Sequence, residues 1–238
     1  MLIRCSFPLL LCLACSCSAG ADSVEDLLQQ AAQASQRGEH QTAIARLSDA
    51  IQQSPMTALP WYLRGREHFR TGKIKESVAD FDRYVQLAPR AESQQWERGI
   101  AYYYAGEYKK GAKQFADYQT FHDQDVENSA WRYLCVAKDE GVEQARKNLL
   151  PIKSDTRVPM MSIYKLYQGE NKPEEVLAAA GGDNQALFYA HLYIGLWHEV
   201  NGRPAEAKSH ILEAEKHKIS HYMWDVAHVH AERLRAEK

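Results

Sequence analysis

The sequence predicts an all-α chain built of stacked antiparallel helix pairs. Three observations lead there. Apolar residues recur at three- and four-residue steps, the period of an amphipathic helix. Glycine, small and aromatic residues return every 34 positions. No alternating strand pattern of any length occurs in the sequence.

The repeat is visible by subtraction. Gly38, Gly72 and Gly106 are spaced by 34, and so are Ala31, Gly65 and Gly99. Leu47, Phe81 and Phe115 keep the same step, as do Ala43, Ser77 and Gly111, and Ala50, Tyr84 and Tyr118. Pro55 and Pro89 follow it, and the next equivalent is Asp123. Small residues at 31, 65 and 99 let two helices approach closely. Gly38, Gly72 and Gly106 fall where a first helix must stop in a left-handed backbone. Leu47, Phe81 and Phe115 fill the space between paired helices, and the prolines end the second helix.

Beyond residue 123 the pattern weakens. A pair over Trp131–Ala137 and Val142–Leu150 turns at Gly141 and stops at Pro151. A connecting loop leads to Met160–Tyr167 and then to a helix opened by Pro173. Gly181-Gly182-Asp183-Asn184 breaks the chain again. Gly195, Gly202, Ala207, Ile211 and Ala214 then repeat the steps of Gly99, Gly106, Gly111, Phe115 and Tyr118. Tyr222–Arg235 reads as a terminal helix that covers the last apolar face.

These positions resemble the consensus of tetratricopeptide repeats (TPR), with three regular repeats over 22–123. The resemblance implies a TPR solenoid of five to six helix pairs. Degenerate repeats occupy 124–183, and a TPR-like repeat with a C-terminal capping helix fills 184–238.

The N-terminus differs. Arg4, an apolar run over Phe7–Ala14 and small residues to Ala21 have the layout of a secretory signal over 1–21. Cleavage after Ala21 releases a soluble chain. Alternatively Cys15 or Cys17 serves as a bacterial lipoprotein cysteine, although neither has the expected Leu three residues before it. Four of five cysteines lie in this leader, leaving Cys135 in an apolar run where a buried thiol is expected. No internal disulfide then forms in the exported chain.

Net charge is −2, with 25% charged residues. This balance creates no field toward nucleic acid. The sequence carries no nucleophile elbow, zinc-protease motif or phosphate loop, so a non-catalytic protein with no cofactor is expected. By resemblance to TPR domains the first helices line a concave wall. Tyr62, Arg66, Phe69 and Arg70 in the second repeat, and Trp96, Ile100, Tyr103 and Tyr104 in the third, are placed there. Aromatics and arginine carry much interface energy, so this patch is the expected partner-binding groove. The competing reading makes some of these aromatics core. The Lys and Asn combination with which some TPR domains grip a C-terminal carboxylate is missing. Among the late histidines, His191 with His198 and His210 with His217 are each seven apart. That is too far for one ion unless another helix helps, so no metal is expected.

The run Trp96-Glu97-Arg98-Gly99-Ile100-Ala101-Tyr102-Tyr103-Tyr104-Ala105-Gly106 is similar to the central repeat of NlpI-type outer-membrane lipoproteins of bacteria. The later His191-Leu192-Tyr193-Ile194-Gly195 also fits their order of parts. That resemblance implies a homodimeric envelope scaffold that docks a periplasmic protease or peptidoglycan hydrolases. The expected function is therefore an adaptor of the bacterial cell envelope, holding a protein or peptide in the groove. It touches membrane only through a lipid anchor. The alternatives are a structural subunit of a homo-oligomer or envelope complex and, more distantly, a His-rich metal-binding module.

Overall fold

The computed structural model describes residues 22–236. The expected signal segment 1–21, with Cys15 and Cys17, lies outside them. Thirteen α-helices and one 3-10 turn make up the described residues, with no strand among them. They are α1 (Val24–Gln36), α2 (His40–Gln53), α3 (Ala58–Arg70), α4 (Ile74–Leu87), α5 (Trp96–Tyr104), α6 (Tyr108–Tyr118) and α7 (Val126–Glu140). Then come α8 (Val142–Lys147), α9 (Met160–Gln168), α10 (Pro173–Ala180), α11 (Asn184–Val200), α12 (Pro204–Lys216) and α13 (Tyr222–Ala236). Consecutive helices pack as six pairs, α1 with α2 through α11 with α12, and α13 follows. None of the described helices is long and apolar enough to cross a membrane.

Close approach explains the small residues. A Cβ on Gly99 would lie 2.7 Å from Phe115 Cζ, and one on Gly195 would lie 2.8 Å from Ile211 Cδ1. In each pair the large side chain of the second helix occupies the place of the missing one. The turn glycine Gly106 has φ +78°, which a residue with a Cβ adopts at a cost.

Two differences from the sequence reading stand out. Pro89 does not simply end a helix: α4 stops at Leu87, and Pro89–Gln94 forms a 3-10 turn that delays and shortens α5. Helix α7 begins at Val126, five residues before the expected Trp131, because Asp125 caps it by accepting from Glu127 N–H. Cys135 is fully buried in α7, and burial pushes its thiol pKa up.

Candidate partner-binding surface

The eight residues assigned to the groove do converge, but the chain itself fills most of that surface. Helix α13 returns across the array and lies against α3 and α5. Tyr222 is the centre of the contact. The Arg66 guanidinium carbon sits 4.8 Å from the Tyr222 ring centroid, and Phe69 is 5.7 Å away, centroid to centroid. Trp96 meets Tyr222 edge to face at 5.6 Å. Arg70 Nε donates to Asp225 Oδ2 at 2.7 Å, joining α3 to α13. The Tyr104 hydroxyl pairs with His230 Nδ1 at 2.9 Å, and Arg233 Nη1 donates to the Tyr104 carbonyl at 3.0 Å.

Burial separates the eight. Phe69 and Ile100 are 0% exposed, Tyr103 5% and Tyr104 7%. These four are core, held by α13 and by α7 through a Tyr103–Trp131 edge contact at 5.4 Å. They cannot touch a partner while α13 stays in place. Tyr62, Arg66, Arg70 and Trp96 keep part of their surface. Tyr62 donates to Glu97 Oε1 at 2.7 Å, and Arg66 Nε lies 3.6 Å from the same oxygen. Burial raises the Glu97 pKa despite these partners. The terminal helix therefore does more than cap the last pair, because its apolar face finds aromatic neighbours across the curve.

Where α13 begins, the wall opens into a cleft of about 370 Å³. Trp96, Phe115, Tyr118, Trp131 and His221 supply its aromatic sides. Trp96 stacks on His221, with ring planes 7° apart. His122, Asp125, Glu127 and Arg157 supply polar groups. Arg157 is gripped by three carboxylates: Asp125 Oδ1 at 2.7 Å, Glu127 Oε2 at 2.6 Å and Asp155 Oδ2 at 2.6 Å. Asp125 and Asp155 also accept from backbone N–H groups of the first turn of α7, where the helix dipole favours negative charge. Glu127 Oε1 accepts from the Tyr193 hydroxyl at 2.8 Å. Burial, aided by neighbouring Asp125, pushes Glu127 up to about 7.

Asp125, Asp155 and a partly ionised Glu127 against one guanidinium leave an excess of negative charge between aromatic faces. That combination attracts a cation through both Coulomb and ring-quadrupole terms. Two buried polar atoms of the lining, Trp131 Nε1 and Asn128 Oδ1, have no hydrogen-bond partner among the described residues. Phe121 and Val158, next in sequence to His122 and Arg157, are 57% and 59% exposed.

The sequence reading missed Tyr118, His122, Asp125, Glu127 and Arg157 as site residues. Tyr118 was visible only as a repeat position. The acid pair Asp125 and Glu127 at the start of α7 was the available signal, but its partner Arg157 is 30 residues away from Glu127.

Comparisons with known proteins agree with the architecture. No protein-family model matches the sequence. The curated protein SGT1 homolog of Bos taurus is 26% identical over 101 residues, which is 42% of this chain and 30% of that protein. The chain thus spans under a third of that relative's length. Among solved structures, a tetratricopeptide repeat protein from Parabacteroides merdae superposes with a TM-score of 0.58 at 12% identity, covering 91% of this chain and 86% of that one. The MamA RS-1 ArsTM double mutant gives a TM-score of 0.52 at 14% identity, covering 82% and 94%. With its 34-residue period and six helix pairs, this chain has the fold of a tetratricopeptide-repeat solenoid.

Proposed function

We propose that this protein is a non-catalytic scaffold that holds a partner protein by a basic segment seated in the Trp96–Tyr118–Trp131 cleft. The observation that carries the reading is the joining of aromatic walls to an excess of carboxylate around Arg157. A lysine or arginine side chain fits that chemistry through cation–π contact and charge-assisted hydrogen bonds. The exposed Phe121 and Val158 offer apolar contact for the residues that flank it. The leader over 1–21 supports export, and the likeness of the Trp96–Gly106 run to envelope lipoproteins supports a place in the bacterial cell envelope.

A labelled lysine-rich peptide, titrated by fluorescence anisotropy, tests the cleft. Binding should weaken at high salt and be lost in Trp96→Ala with Tyr118→Ala, while helicity is unchanged. Preference for the glutamate-substituted peptide, or full binding by the double variant, contradicts the reading. Intact-mass measurement tests the leader: a mature chain that retains residues 1–21 counts against export.

A further inference from the structure

Helices α11 and α12 carry four histidines that the partner-binding reading does not use. His191 and His198 lie seven apart on α11, and His210 and His217 seven apart on α12. Where the two helices pack, the four rings touch in succession: His217, His191, His210, His198. The His217 and His191 rings are stacked with centroids 5.8 Å apart and planes 14° apart. The His191 and His210 rings follow at 5.1 Å, and the His210 and His198 rings are stacked at 5.6 Å and 21°. At the centre His191 Nδ1 and His210 Nδ1 are 3.0 Å apart, the length of a hydrogen bond.

That central bond constrains the protonation of the row. One Nδ1–H donates, and the other Nδ1 must keep its lone pair to accept. With both rings protonated there are two donors, no acceptor and two positive charges in contact. His217 has Glu213 3.9 Å from Nε2 and donates from Nδ1 to Asn184 Oδ1 at 3.0 Å. Among the described residues no carboxylate pairs with His191, His198 or His210, and the buried His198 Nδ1 has no hydrogen-bond partner. The charges that face the row are of both signs: Glu174 of α10, Arg203 just before α12, and Glu206, Glu213 and Lys216 on α12. The other neighbours engage elsewhere. Glu127 and Lys138 of α7 meet α11 at Tyr193 and Glu199, Tyr167 of α9 donates to the Tyr193 carbonyl, His230 of α13 lies against Glu199, and His228 and Arg235 of α13 hold Glu215. Burial, then the His210 ring, lowers His191 to about 4, and burial lowers His198 and His210 as well.

We propose that this row of four histidines is an acid-sensitive latch: neutral, it holds α12 to α11, and protonation loosens the pair. Rings kept neutral in the closed pair take up protons more readily once the pair opens. Their stabilising share is therefore complete above pH 6.5 and is lost as pH falls toward about 4. Glu127 works in the other direction, since burial raises its pKa. The close contact of Gly195 with Ile211 lies in the same helix pair, so a small splay also removes packing. Helix α12 is in turn the seat of α13, because Trp224 Nε1 donates to the Glu215 carbonyl at 3.0 Å and Lys208 Nζ to the Leu234 carbonyl at 2.8 Å.

Hydrogen exchange of the tag-free full chain tests the latch, read by mass spectrometry at steps from about pH 7.5 to about pH 5 and corrected for the intrinsic pH dependence of exchange. That range stays above the ordinary titration of carboxylates. Each pKa unit is a factor of ten, so the lowered His191 allows about a thirtyfold effect at pH 5, and solvent screening of half-buried rings reduces it to about tenfold. Protection of the α11 and α12 amides should fall by that factor relative to α6, which carries no histidine. His191→Gln with His210→Gln keeps hydrogen-bonding side chains without titration and should lose the pH dependence. Nitrogen NMR of the histidine-labelled unaltered chain supplies a readout independent of any variant's folding: ring signals that stay neutral at about pH 5 are expected. Protection of α11 and α12 that does not change with pH, the same pH dependence in the double variant, or titration of every ring at or above pH 6.5 would overturn the proposal.

Discussion

Two stretches of one inner wall have different fates. On α3 and α5, Phe69, Ile100 and Tyr104 are sealed, the last joined to His230 of α13 by a hydrogen bond. One turn away, Trp96 leads into a cleft bounded by Tyr118, Trp131 and the carboxylates around Arg157. Both stretches are aromatic, so composition does not separate them. Coverage does: α13 lays Tyr222 over the first stretch and begins at the edge of the second. A TPR groove can thus be core along part of its length and open along the rest.

Stability should divide along the same line. Phe69→Ala removes a fully buried ring from under α13 and should cost about 3–5 kcal/mol. Tyr118→Ala, on the half-buried edge of the cleft, should cost far less. Urea denaturation followed by circular dichroism measures both, and equal losses would erase the distinction.

The cleft should carry its own pH dependence. Burial, with Asp125 next to it, lifts the Glu127 carboxyl from 4.5 to about 7, so the folded chain holds this proton more tightly than the unfolded chain does. Its stabilising share is present below pH 4.5 and is lost as pH rises to about 7, by up to about 3 kcal/mol. The groups facing it are Asp125, Asp155, Arg157, Tyr118, Tyr189 and Tyr193, with His122 and His221 lining the same cleft. A cationic partner prefers the ionised carboxylate, so affinity should rise through the same window. Glu127→Gln should flatten both trends, as denaturation and peptide titration at stepped pH will show.

The smallest expected effect concerns the clasp on the covered side. Arg70 and Asp225 are 18% and 21% exposed at their side chains. A double-mutant cycle with Arg70→Ala and Asp225→Ala should give a coupling of about 1–2 kcal/mol. Additive losses would mean that the pair does not help hold α13 in place.

Much of this was legible beforehand, and the limit has a physical cause. The 34-residue step located the small residues, and Gly99 against Phe115 shows why they are small: the ring occupies the space a Cβ needs. Periodicity states which face of a helix is apolar, but not which neighbour covers it. The Arg70–Asp225 contact spans 155 positions, and nothing local to either residue announces it. Helix α7 blurred the reading for another reason. It is buried on nearly all sides, from Val126 through Ala137, so its amphipathic period fades. The histidines show the same limit: His191 with His198 and His210 with His217 were each visible on one helix, while the stacking of His191 on His217 and of His198 on His210 depended on how α11 meets α12.

Photocrosslinking in cells tests the covered and open stretches directly, with a benzoylphenylalanine placed either at position 69 or at position 118. Position 118 should yield adducts to another protein, and position 69 should yield only internal links to the Tyr222–Ala236 segment. Intermolecular adducts from position 69 with none from position 118 would mean that α13 leaves the groove and that the cleft is not where partners are held.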